Sequence, residues 1–102
     1  MARRVELHEK LCFILGSRNV YFQPPETVKM KYPAIVYNLR DINRTNADDI
    51  GYVHQDEYTL TVIDRDPDSS IPRNILSNFS LCRFDRWYAS DNLNHYVIDL
   101  FY

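Results

Sequence analysis

The sequence predicts an α+β domain: an antiparallel sheet of four to five strands, with an N-terminal helix and a second helix packed on one of its faces. Three observations predict it. Apolar residues recur at helical spacing in two stretches. They alternate in several others, and most strand-like stretches follow one another as hairpins. At 102 residues the chain is one domain, 1–102, large enough for one core.

The first helix is expected over about residues 3–16. Leu7, Leu11, Ile14 and Leu15 share a face, while Glu6, Glu9 and Lys10 fall mostly elsewhere. Gly16 supplies a natural stop. Asn19 to Gln23 reads as a short strand ended by Pro24-Pro25, which cannot continue a ladder. Residues 26–33 are irregular and close on Pro33. Residues 34–40 are a strand, with Ile35, Tyr37 and Leu39 on one face and Val36, Asn38 and Arg40 on the other.

Residues 41–51 are polar and turn-rich, which predicts a long hairpin loop. The strand expected at 52–64 puts Tyr58, Leu60 and Val62 opposite Glu57, Thr59, Thr61 and Ile63, and it pairs with 34–40. Asp64 to Ser70 is a turn that leads into a helix at about 71–79, with a Ser cap, Pro72 in the first turn, and Ile71, Ile75, Leu76 and Phe79 as its apolar stripe. Residues 82–88 are a strand, Ser90-Asp91-Asn92 a turn, and 93–102 a last alternating strand.

Composition excludes several function classes. The net charge of -2 does not suit a protein that lives on phosphates. No apolar run approaches the roughly 20 residues of a membrane span, and the basic start, Met1-Ala2-Arg3-Arg4, leads into charged residues rather than a signal core. The chain is therefore expected to be cytosolic when made. Cys12 and Cys82 have no metal-ligand spacing and read as reduced structural cysteines, with a disulfide between them left open. Arg3 and Arg4 read as a solvated terminus. Two glycines leave no phosphate loop, whereas eight tyrosines bring amphipathic surface of the kind that sheets and interfaces use.

The candidate chemical sites each fail on a count. Asp64, Asp66 and Asp68 alternate like calcium ligands, but Ser69 and Leu76 stand where such a loop needs Gly and Glu. The bland alternative is a solvated turn whose Asp and Ser groups cap the next helix. His8 and Cys12 are too few for zinc. His95, near Asp91 and Asp99, has no activated nucleophile. No catalytic, cofactor-binding or metal residue is assigned, no cofactor is expected, and the chain is not expected to be an enzyme. Two surface groups stand out instead. Arg83, Arg86, Trp87 and Tyr88 are a candidate subunit interface, since Arg and Trp concentrate at such contacts, with a plain solvated strand face as the alternative. Arg40, Asp41, Arg44, Asp48 and Asp49 are a candidate loop that reaches a neighbour or lines a lumen.

Four stretches carry a family resemblance: Gln23-Pro24-Pro25; Lys29-Met30-Lys31-Tyr32-Pro33-Ala34-Ile35-Val36-Tyr37; Tyr58-Thr59-Leu60-Thr61-Val62-Ile63-Asp64-Arg65-Asp66-Pro67-Asp68-Ser69; and Asp91-Asn92-Leu93-Asn94-His95. With the element order, from about residue 5 to the end, they resemble the small tail-terminator or tail-completion (head–tail joining, minor virion) proteins of tailed bacteriophages. The resemblance implies a structural virion protein of the neck or tail, in a ring commonly of six copies. Its implied partners are other copies of itself, a tail-tube protein and a neck or head-completion protein. DNA would pass through the lumen without specific binding, and no membrane is involved. The alternatives are a head-closure or adaptor subunit, a small accessory enzyme, and a host-directed binding protein with one aromatic face.

Overall fold

A computed structural model describes residues 2–42 and 56–102. The element order is α1 (Ala2–Leu15), β1 (Val20–Phe22), β2 (Ala34–Ile42), β3 (Asp56–Asp64), α2 (Ile71–Asn78), β4 (Cys82–Ser90) and β5 (Leu93–Phe101). The five strands form one sheet in the order β1-β2-β3-β5-β4. The α+β class holds, with one correction: the sheet is mixed, because β1 runs parallel to β2. The chain returns through the irregular segment 23–33 rather than through a hairpin, and local alternation carries no sign of strand direction.

Each element follows from its residues. Gly16 ends α1 at a φ of 83°, and its N–H donates to Cys12 O at 2.9 Å. Past Phe22 the β1 ladder cannot go on through Pro24. Gln23 takes over: its N–H donates to Tyr37 O at 3.0 Å, and its side-chain Oε1 accepts from Leu39 N at 3.0 Å. Asp91 and Asn92, at φ 55° and 63°, form the two-residue turn that joins β4 to β5. Positive φ at both central positions matches the twist of a tight hairpin, and these residue types tolerate it.

Ahead of α2, Asp64 Oδ1 accepts from Asp66 N at 3.1 Å, and Asp66 Oδ1 from Asp68 N at 2.9 Å. Those carboxylates order the turn rather than cap the helix. Ser70 occupies the cap position in an αR conformation and makes no side-chain cap bond; the serine that takes a helical N–H is Ser69, whose Oγ accepts from Ile71 N at 3.3 Å. Pro72 does sit in the first turn.

Both helices cover the same face of the sheet. Leu7 and Leu11 of α1 and Ile75 of α2 are fully buried against Ile35, Tyr37, Leu60, Val62, Ile98 and Leu100. α1 lies over β1 and β2, and α2 lies against α1 and β4. The strand registers Ile35↔Val62↔Tyr96 and Tyr37↔Leu60↔Ile98 line these side chains up across the sheet, as the alternation predicts. No helix among the described residues is long and apolar enough to cross a membrane.

No helix among the described residues lies over the opposite face. Its rows run Ala34–Ile63–His95–Tyr88, Val36–Thr61–Val97–Arg86 and Asn38–Thr59–Asp99–Arg83. Asp99 is nevertheless buried there.

Candidate functional site

The structure divides the residues that the sequence singled out. Arg83, Arg86 and Tyr88 lie on the open face of β4, in register with Asp99, Val97 and His95. Trp87 pairs with Tyr96 and lies on the helix side. The candidate interface is thus one strand with two faces rather than one patch. Every residue of β4 after Cys82 is exposed, Phe84, Trp87 and Tyr88 among them. A register shift leaves Asp85 without a partner on β5. This bulge adds one residue to β4 and twists the strand locally. β4 is also the last strand on its side of the sheet, and its outer edge has no neighbouring strand among the described residues.

Arg40 lies in β2 as the strand expected at 34–40 has it, and β2 runs on to Ile42, which takes Asp41 out of the expected loop. Asp41 pairs with Glu57, and a second register shift sits at Arg40. Arg40 continues the open-face alternation of Val36 and Asn38, and its Nη1 lies 3.4 Å from Glu57 Oε2 and 3.3 Å from Asp99 Oδ1. Arg83 Nη2 reaches the other oxygen of Asp99 at 3.2 Å. One arginine from each predicted group therefore meets on a single carboxylate, which the sequence had flagged only beside His95. Its signal was one acid in an otherwise apolar terminal strand, Val97 to Phe101. Arg44, Asp48 and Asp49 lie outside the described residues, as does the predicted strand start at 52–55.

Further along the open face, Tyr88 stacks on His95 with ring centroids 4.6 Å apart and planes 9° apart. Arg86 lies 5.9 Å from the Tyr88 ring and pairs with Asp85. His95 Nδ1 is 3.2 Å from Leu93 O, so that nitrogen donates to a backbone carbonyl. Asp99 is taken up by arginines. The two do not form the base-and-orienter pair of a hydrolytic site. The ion pairs on this face set Arg40, Arg83 and Arg86 against Glu57, Asp85 and Asp99, with Asp41 opposite Glu57 as a further acid. Such a surface suits a protein contact better than a run of phosphates.

On the helix side, Pro67, Pro72, Arg73, Leu76, Phe84 and Tyr96 line a cleft of about 490 Å³ beside α2. Tyr96 Oη donates to Pro67 O at 3.0 Å. Burial, and then Asp64, Asp66 and Asp68, push its pKa up, so it stays protonated. Under α1 the phenol of Tyr37 accepts from Arg4 Nη1 at 3.1 Å and lies 2.8 Å from His8 Nδ1. Burial, and then Arg4, hold the His8 pKa below its ordinary value. A neutral His8 accepts the Tyr37 proton, which makes a directed chain from Arg4 through Tyr37 to His8. Cys12 and Cys82 are both free thiols, and burial raises the pKa of each. That is the opposite of thiolate activation. Cys82 Sγ sits 3.2 Å from Phe79 O, where it donates weakly to the end of α2. No group of three or more His, Cys, Asp or Glu among the described residues is placed to hold a metal ion.

No protein-family model, curated protein or solved structure matches the chain.

Proposed function

We propose that the chain is a structural subunit of a tailed-phage neck or tail, of the tail-terminator kind. Copies form a ring, of six in this reading, that ends the tail tube and joins it to the neck. DNA passes through the lumen without sequence recognition, and the chain performs no chemistry of its own.

The observation that carries the reading is β4. A nine-residue edge strand that leaves an aromatic side chain exposed on each face is a template for another protein chain. The balanced ion pairs on its open face favour a protein neighbour. The order of an N-terminal helix, a sheet, a second helix across it and two closing strands agrees with the resemblance.

The test is a nonsense mutation in the gene within its phage, followed by electron microscopy of the lysate. The expected result is separate heads and tails, with the protein absent from both, and joining restored when purified protein is added. Normal infectious particles without the protein would overturn the reading.

A further inference from the structure

The free edge of β4 is self-complementary. We propose that the chain pairs with a second copy of itself through β4, antiparallel, about a two-fold axis between Asp85 and Arg86.

In this register Asp85 meets Arg86 of the second copy, Phe84 meets Trp87, Arg83 meets Tyr88 and Cys82 meets Ala89, each contact occurring twice. The pairs are, in order, opposite charges, two aromatics, a cation with an aromatic ring, and two small groups. Each of the first three kinds favours cross-strand pairing. Asp85 and Arg86 already pair within one copy, so on association four alternating charges share the centre.

The faces decide the register. Cys82, Phe84, Trp87 and Ala89 lie opposite Leu100, Ile98, Tyr96 and Asn94, on the helix side. Arg83, Arg86 and Tyr88 lie opposite Asp99, Val97 and His95, on the open side. A regular strand keeps faces matched only when it turns about a residue. The extra residue at Asp85 moves that point to a peptide bond, between Asp85 and Arg86. Turning about Arg86 instead would set Phe84 against Tyr88 across opposite faces and Arg86 against itself. Turning about Asp85 would set two carboxylates together. The bulge that guards an edge against indiscriminate pairing thus selects one register here.

Joined this way, the two sheets become one continuous sheet with the helices of both copies on the same side. The exposed Phe84 and Trp87 rings then cover each other at its middle. This inference goes beyond the neck-and-tail reading and does not depend on it. A two-fold contact closes after two copies, whereas a ring that meets a tube on one side and a neck on the other needs head-to-tail contacts. The pair is the form of the free protein, and entry into a polar ring would exchange it.

Sedimentation equilibrium of the full chain is expected to give a dimer. Arg86→Glu sets four acids at the axis and is expected to weaken the dimer by about tenfold or more, roughly the value of one close charge pair. Asp85→Arg added to Arg86→Glu swaps the signs and is expected to restore it, which separates pairing from misfolding. Treated with diamide, the Ala89→Cys variant is expected to cross-link to Cys82 of the second copy. Tyr88→Cys, on the other face, is expected not to cross-link. A wild-type monomer up to about 1 mM, an Arg86→Glu dimer as tight as wild type, no rescue by the swap, or cross-linking from position 88 instead of 89 would each overturn the proposal.

Discussion

The two faces of this sheet keep a polar group from water by different means. On the helix side Tyr37 is fully buried beneath α1, and its hydroxyl is taken by Arg4 and His8. On the open side Asp99 is 3 % exposed, and no helix among the described residues lies above it. Its cover is the arginines themselves, whose side chains are 55 % and 77 % exposed. Tyr37 is buried by packing, and its hydrogen bonds serve to leave nothing unsatisfied. Asp99 is buried where its own partners meet it, Arg40 on one carboxylate oxygen and Arg83 on the other. The first arrangement excludes water whatever the charges do. The second holds only while the ion pairs hold.

Three measurements would break or sharpen that contrast. The largest effect is expected at Tyr37. Tyr37→Ala empties a site beneath α1 and should cost about 3–5 kcal/mol in urea unfolding, whereas Tyr37→Phe keeps the ring and should cost about 1 kcal/mol. Equal costs would mean that the hydroxyl network, and not packing, holds α1 down.

A smaller loss is expected on the open face. Stripping a buried charge of its partner costs about 3–5 kcal/mol in a dry interior. Here the removed groups are more than half exposed, so water enters as they leave. The Arg40→Ala/Arg83→Ala variant should therefore lose about 1–2 kcal/mol, and Asp99→Asn in that background should recover most of it. A loss as large as that of Tyr37→Ala would show that the arginine roof excludes water as well as a helix does.

The smallest effect concerns His8. Its folded pKa lies below the ordinary 6.5, chiefly through burial. As pH falls, the unfolded chain takes up the proton first, so the stability that depends on neutral His8 is complete above about 6.5. It drains as pH drops from there to the lower folded value, and then levels off. His8→Gln keeps an acceptor for Tyr37 without titrating. Its stability should fall less than that of wild type between about pH 7 and pH 5 in thermal melts. Parallel curves for the two proteins would remove His8 from the balance.

The sequence was most informative where structure is local. Leu7 and Leu11, the alternation from Tyr58 to Val62, the stop at Gly16 and the turn at Asp91-Asn92 are each set by neighbours in the chain, and each is found where the pattern put it. What escaped depends on distant partners. The parallel direction of β1 rests on how residues 23–33 return. The site at Asp99 rests on Arg40 and Arg83 arriving from strands far apart in sequence. Asp41 was misplaced for a related reason: a polar stretch after a strand reads as loop, although a bulge at Arg40 carries the strand two residues further, to Ile42. Arg83, Arg86, Trp87 and Tyr88 were grouped by residue type; plain alternation would pair Arg83 with Trp87 and Arg86 with Tyr88, and it is the bulge at Asp85 that brings Arg83 to the face of Arg86 and Tyr88 and leaves Trp87 on the other.

The strand order has a bearing on how constraint along this chain should be interpreted. β5 lies between β3 and β4 and contributes Val97, Ile98, Asp99 and Leu100 to the buried set, so intolerance to substitution there would record folding. β4 contributes almost nothing to that set. A saturation scan scored first for solubility and then for biological output should find β4 permissive in the first assay. Any position in 83–90 that turns restrictive only in the second has been held in place by something outside the fold.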